Sequence, residues 1–135
     1  MIRLGIPADF TEIERFDVFA GDRNLEIIEQ RLQVYLIEDK PVGYVTTVDS
    51  SCLCGHPLVS FLCVDSAYRR QGIASQLLAV VEDKYKHQKL VISTESNNSI
   101  MLDLIKQRNY ILAGSLAKLN DDGSDEVYFY RDPNS

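Results

Sequence analysis

The chain has 135 residues, of which 45% are hydrophobic, and a formal charge of −6. That length suits one compact domain spanning 1–135, which buries roughly two-thirds of its unfolded surface and needs no disulfide or metal staple. The acidic balance argues against a nucleic-acid partner, which requires a basic surface to displace counterions, and no apolar run approaches the ~20 residues that span a bilayer.

The N-terminus, MIRLGIPADF, lacks an apolar signal core, so the expected location is the cytoplasm, with no membrane partner. Cys52, Cys54 and Cys63 form an odd set, expected as reduced thiols. Cys52-x-Cys54-x-His56 departs from the usual C-x-x-C metal spacing. The expectation is therefore no metal, with the cysteines serving as small buried hydrophobes on a strand.

In chain order, residues 2–6 (IRLGI) predict a short strand that Pro7 ends. Ala8–Phe16 reads as a helix with Phe10, Ile13 and Phe16 on one face, and Asn24–Gln33 as a second with Leu25, Ile28 and Leu32 aligned. Val34–Ile37 and Val42–Val48 are strands joined by Glu38-Asp39-Lys40-Pro41, and Asp49–Pro57 is a polar loop. Leu58–Val64 (LVSFLCV) is almost wholly apolar, as expected of a central strand covered on both faces. A helix from about Gly72 to Tyr85 presents Ile73, Leu77, Val81 and Tyr85 in one stripe, and Leu90–Ser93 is the next strand. Strand, helix and strand in this order make a βαβ unit with a parallel pair. Ser99–Gln107 is a helix, and Tyr110–Leu116 and Glu126–Tyr130 are strands around the turn-rich Asn120-Asp121-Asp122-Gly123.

The chemistry concentrates in Tyr68-Arg69-Arg70-Gln71-Gly72-Ile73-Ala74-Ser75, between the apolar strand and the amphipathic helix. Gly72 allows close backbone approach and unusual dihedrals, and Ala74 keeps the first helical turn small. The free N–H groups and macrodipole of a helix start favour an anion, and Arg69 and Arg70 add positive charge. The segment is built for a phosphate or pyrophosphate. It is neither a P-loop, since G-x-x-x-x-G-K-S/T is absent, nor a G-x-G-x-x-G dinucleotide fingerprint.

Arg69-x-x-Gly72-x-Ala74 resembles the Q/R-x-x-G-x-G/A signature of the GNAT superfamily of N-acetyltransferases, as does the passage Val64-Asp65-x-x-Tyr68-Arg69 before it. The order of elements is similar over nearly the whole chain. The resemblance implies an α+β fold: a central mixed, mostly antiparallel sheet with one parallel strand pair, flanked by helices. It implies acetyl-CoA as co-substrate and a primary amine as acceptor. Backbone groups of Leu62, Cys63 and Val64 would hold the pantetheine arm, and Arg69, Arg70, Gln71, Gly72, Ile73, Ala74 and Ser75 the pyrophosphate.

The segment from Asn98 resembles the family's N-x-x-A-x-x-L-Y-x-x-x-G-F element, with Met101, Leu104 and Tyr110 at its alanine, leucine and terminal aromatic. Asn98 falls where the family places a cofactor-contacting asparagine, and it also suits a helix N-cap. Two positions depart from the pattern. The family's tyrosine, often the acid that protonates the departing thiolate, falls on Ile105. Its glycine falls on Asn109, where a left-handed conformation is tolerable.

Direct attack by an amine needs a base and an oxyanion donor but no covalent intermediate, so Cys63 need not be a nucleophile. An amide near Cys63 or Val64 is the expected donor. Glu95, near the end of the strand Leu90–Ser93, is the candidate base, although the family's strand glutamate aligns near Ser93. Phe10, Phe16, Asp17 and Phe19 fall in the segment that lines the acceptor pocket in similar proteins, with Phe10 and Phe16 read as core. Tyr128 and Tyr130 are read as packing. The competing readings are an acyl-CoA-binding module without transferase activity and an unrelated α+β domain that binds another phosphate ligand. A homodimer through the final strands, expected as exposed edges, completes the expectations.

Overall fold

The computed structural model describes residues 1–18 and 20–135. Its elements are β1 (Ile2–Leu4), a 3-10 turn (Pro7–Asp9), α1 (Phe10–Phe16), α2 (Asn24–Ile28), β2 (Leu32–Ile37), β3 (Lys40–Val48), β4 (Leu58–Val64), a 3-10 turn (Ser66–Tyr68), α3 (Ile73–Lys84), β5 (Leu90–Glu95), α4 (Ser99–Gln107), β6 (Ile111–Leu116) and β7 (Glu126–Arg131). They form a seven-stranded sheet in the order β1-β2-β3-β4-β5-β7-β6. Only β4 and β5 are parallel, and the other neighbours are antiparallel. The fold is the mixed, mostly antiparallel α+β sheet that the sequence implies.

The two faces are covered unequally. On one, α3 and α4 lay Ile73, Leu77, Leu78, Val81 and Ile105 over Val42, Val45, Val59, Ile92 and Phe129, all buried. On the other, α1 and α2 bury Ile13 and Ile27 against Leu32, Val34, Leu36 and Tyr44. That second cover lies over β2 and β3. Among the described residues, no helix shares a core with β5, β6 or β7 on that face.

Three expectations change. The helix expected over Asn24–Gln33 ends at Ile28. Gln30 takes φ +59°, and Leu32 is needed at 0% exposure in β2. The buried residue of α2 is Ile27, while Leu25 and Ile28 face solvent. β4 is half-buried rather than covered on both faces, with Phe61 44% exposed. Cys52 and Cys54 are exposed in the β3–β4 loop, not buried on a strand. The Glu38–Asp39 turn has φ of +50° and +62°, the paired left-handed geometry of a two-residue hairpin, and it brings Ile37 opposite Lys40.

Candidate functional site

The site begins where two parallel strands part. β4 and β5 pair only at Leu58–Val91 and Val59–Ile92, yet β4 stays paired with β3 as far as Val64. Ser60 is an extra residue in β4, because Thr46 opposes Phe61 while Thr47 opposes Val59. The Asp65 N–H donates to the Val42 carbonyl at 2.8 Å, which sets the phase of the ladder. Alternate residues of an antiparallel strand bond to one side. Phe61 and Cys63 therefore exchange backbone bonds with β3, and Leu62 and Val64 turn their N–H and C=O groups toward the gap. Of the two oxyanion donors expected from sequence, the Cys63 amide faces β3 and the Val64 amide faces the gap.

Asp65 turns the chain from β4 into the loop. Its Oδ1 accepts from the Ala67 amide at 3.0 Å and its Oδ2 from Arg15 of α1 at 2.8 Å. The Ala67 amide first, and Arg15 second, hold its carboxyl below the usual range. Arg70 and Gly72 then take φ of +66° and +75°. A Cβ on Gly72 would meet nothing nearer than Gln76 Nε2 at 3.9 Å, so its torsion rather than crowding demands glycine, and the space before it is open.

The first helical bond of α3 runs from the Gln76 N–H to the Gly72 carbonyl. The amides of Ile73, Ala74 and Ser75 thus precede the first closed turn. Gly43 lets this helix start sit close to β3, because a Cβ there would lie 3.2 Å from Ile73 Cγ2 and 3.4 Å from Leu77 Cδ1. Arg69, Arg70, Gln71 and Gly72 are exposed, and Arg69 Nε approaches the Val64 carbonyl at 3.4 Å. Amides at a helix start beside two exposed guanidinium groups are a donor set that fits a pyrophosphate.

Behind the loop, Ser75 Oγ accepts from Arg108 at 2.6 Å, and Arg108 forms a two-point pair with Glu82 at 2.5 and 2.8 Å. The Tyr110 hydroxyl donates to the same carboxylate at 2.9 Å. This network ties the start of α3 to the end of α4. Burial, with Glu82 beside it, pushes the Tyr110 phenol far above its ordinary range. Asn98 caps α4 by accepting from the Met101 amide at 3.1 Å, and it lies at the end of the sheet that carries the loop, since β4 and β5 are parallel. Asn109 takes φ +64°, as its place in the pattern demands. Ile105 is fully buried. The position of the family's tyrosine is therefore core, and it offers the gap no proton.

On the opposite face, burial first and Asp17 second push the Cys63 thiol up to about 11, so it stays protonated at neutral pH. The Tyr44 hydroxyl donates to Asp17, and the Phe16 ring sits 6.3 Å from that of Tyr44. Phe10 is half-buried. Arg23 lies 3.8 Å over the Phe61 ring. Phe19 lies outside the described residues. Glu95 is exposed at the end of β5, where it accepts from Thr94 at 3.3 Å.

Sequence reasoning missed Glu126 of β7, which pairs with Glu95 in register and accepts from Ser93 at 2.7 Å and from Asn120 at 3.1 Å. The missing signal was strand order, because β7 lies beside β5 and β6 takes the edge. No group of three potential metal ligands occurs among the described residues.

The profile of the acetyltransferase (GNAT) domain matches residues 10–101, about two-thirds of the chain. None of the curated proteins matches the sequence. Among solved structures, a GNAT-family acetyltransferase from Bacillus cereus ATCC 10987 superposes with a TM-score of 0.82 at 23% identity, over 98% of this chain and 96% of that one. The NatC complex bound to Gag peptide and CoA contains a chain similar at TM-score 0.82 and 16% identity, over 100% and 98%. The ribosomal-protein-S18-alanine N-acetyltransferase from Escherichia coli is similar at 0.74 and 16%, over 96% and 91%. At these identities the structures speak for the fold, and the domain match speaks for the family: the chain belongs to the GNAT acetyltransferases.

Proposed function

We propose that this acetyltransferase domain moves an acetyl group from acetyl-CoA to a primary amine by direct attack, and that the gap between β4 and β5 is where the two substrates meet. The observation that carries the reading is the parting itself. Leu62 and Val64 point backbone donors and acceptors into a gap that opens beside an uncapped helix start. An extended amide-bearing arm can complete that ladder as a missing strand would. Its pyrophosphate then reaches the amides of Gln71, Gly72, Ile73, Ala74 and Ser75, with Arg69 and Arg70 supplying charge. Cys63 lines the same strand, and Asn98 stands at the same end of the sheet.

The chain's residues have three tasks in the transfer. The Val64 or Leu62 amide offers a hydrogen bond to the oxygen that gains charge as the amine attacks. Carboxylates at the far end of β5, Glu95 among them, can take the amine's proton. With Ile105 in the core, water protonates the departing thiolate. CoA and peptide complexes among the structural neighbours, such as that of NatC, support an amine at a peptide terminus as one member of the acceptor panel. Reduced cysteines and the acidic surface suit a cytoplasmic setting without nucleic-acid or membrane partners. Of the two final strands expected as edges, β7 is paired on both sides and β6 alone is an edge, as β1 is at the other end of the sheet, so two copies would pair as a homodimer through β6.

The test is thermal melting with acetyl-CoA, followed by thiol release across peptides with free N-termini, lysine and small polyamines. Ligand at 100 times its dissociation constant adds about 2.7 kcal/mol of stability. An unchanged melting temperature refutes the acetyl-CoA site. A shift with silence across the panel supports an acyl-CoA-binding module without transferase activity.

A further inference from the structure

The open face carries a carboxylate outside every motif and outside the segment that the domain profile matches. Ser93 is the first residue of β5 beyond its last pairing with β4. Its neighbour Ile92 points into the α3–α4 core, so Ser93 points to the uncovered face. On that face Ser93 Oγ donates to Glu126 Oε2 at 2.7 Å, and Asn120 Nδ2 donates to Glu126 Oε1 at 3.1 Å. On the β4 side, the extra residue Ser60 bonds the buried Thr46 hydroxyl at 2.7 Å. Polar groups thus flank the parting of β4 and β5 from both strands.

We infer that Glu126 is the general base of the acetyl transfer, with Ser93 and Asn120 as positioning residues; the inference rests on the acetyl-CoA reading above. A carboxylate has about four acceptor sites, so two donors fix its plane and leave others for a substrate ammonium. Two donors from separate elements hold it before substrate arrives, as an efficient proton acceptor requires. Glu95 lacks that support. It is exposed, and its side-chain bond is to its own neighbour Thr94.

The proton and electron accounting is simple. The acceptor ammonium gives one proton to the Glu126 carboxylate and becomes a neutral amine. Its lone pair forms the N–C bond to the thioester carbon. The C–S bond breaks with its electrons on sulfur. As the amide forms, nitrogen loses a second proton, sulfur gains one from water, and Glu126 returns its proton to solvent. The charged or titratable groups around Glu126 are Glu95 across from it on β5, Tyr128 on its own strand, Cys52 of the β3–β4 loop beside Tyr128, and Asp125.

The experiment uses the full chain and follows thiol release from acetyl-CoA with the best amine of the panel and with water alone. Glu126→Gln is expected to lower kcat about 100-fold, within the range of a lost general base. It should erase the acid limb of the kcat/KM–pH profile while keeping the wild-type melting shift with acetyl-CoA. Ser93→Ala should lower kcat about tenfold and move that limb, with rescue by Ser93→Thr. Glu95→Gln tests the competing base, and it should lose less of kcat than Glu126→Gln and keep the acid limb. Wild-type rates and an intact acid limb in Glu126→Gln, with amine or with water, overturn the assignment. So does a loss in Glu95→Gln that Glu126→Gln lacks. Failure of wild type to shift with acetyl-CoA is a different result, which refutes the parent reading and this one with it.

Discussion

The two faces of the sheet around β4 and β5 are built on opposite terms. Under α3 and α4, Ile73, Leu77, Leu78, Ile92, Ile105 and Phe129 are all at most 3% exposed, and the charge of Glu82 is met by Arg108. Across the same strands, Phe61 is 44% exposed, Ser93, Glu126 and Tyr128 are half-buried, and Glu95 is open to water. Burying one large aliphatic side chain is worth roughly 1.5–3 kcal/mol. A face that concentrates such burial lets the other keep polar groups and a strand gap, which an evenly packed sheet would have closed.

The largest expected effect comes from attacking the packed face. Glu82→Ala leaves the Arg108 guanidinium and the Tyr110 hydroxyl without their shared partner, and removing one member of a buried pair costs about 3–5 kcal/mol. Glu126→Ala removes a carboxylate of the same type from the open face and should cost less than about 1 kcal/mol, as surface changes do. Urea denaturation of both variants measures the contrast. Equal losses would mean that the open face also carries the fold.

Gly72 sits at the hinge between holding and reacting, and its effect should come second. A β-branched residue in left-handed backbone costs roughly 1–2 kcal/mol. Gly72→Val escapes that strain by re-aiming the amides of Ile73, Ala74 and Ser75. Its affinity for acetyl-CoA should fall about tenfold or more, equivalent to at least about 1.4 kcal/mol. Calorimetric titration reads this directly, and wild-type affinity in Gly72→Val would show that the loop is not the pyrophosphate cradle.

The packed face and the loop were legible in the sequence because their signals are local. The stripe Ile73, Leu77, Val81 announces α3, and all three are buried. Gly72 and Asn109 take the left-handed torsions that their places in the pattern demand, and Asn98 caps α4. The open face was not legible, because it depends on pairing across distance. Ser93 and Glu126 are 33 residues apart, and they meet only because β7 inserts beside β5. Local periodicity also overran α2. Leu32 continued the apolar spacing of a helix, but its side chain is needed in β2, and Gln30 turns the chain to deliver it. Ile105 shows the opposite lesson: the pattern located the family's tyrosine position, and the packing explains why an aliphatic residue occupies it.

The smallest expected effect tests the link between the two regions. Arg15 on α1 reaches Asp65 at the end of β4, the turn from which the loop departs. The folded-state pKa of Asp65 lies below its unfolded value of about 3.9. Its contribution to stability is therefore fully present above that value and is lost as pH falls through the lower folded value. Arg15→Ala removes one cause of the depression and leaves the Ala67 amide, the largest, and the charge of Lys40 in place. Wild type should exceed the variant in urea midpoint at pH 7, and the gap should close only as the pH falls through the depressed folded value of Asp65, below about 3.9, where the carboxylate that Arg15 pairs with is neutralised. Glu12 also bonds Arg15, so the comparison is repeated in a Glu12→Gln background. A gap that stays constant with pH in that background would mean that α1 is tied to the loop by packing rather than by charge.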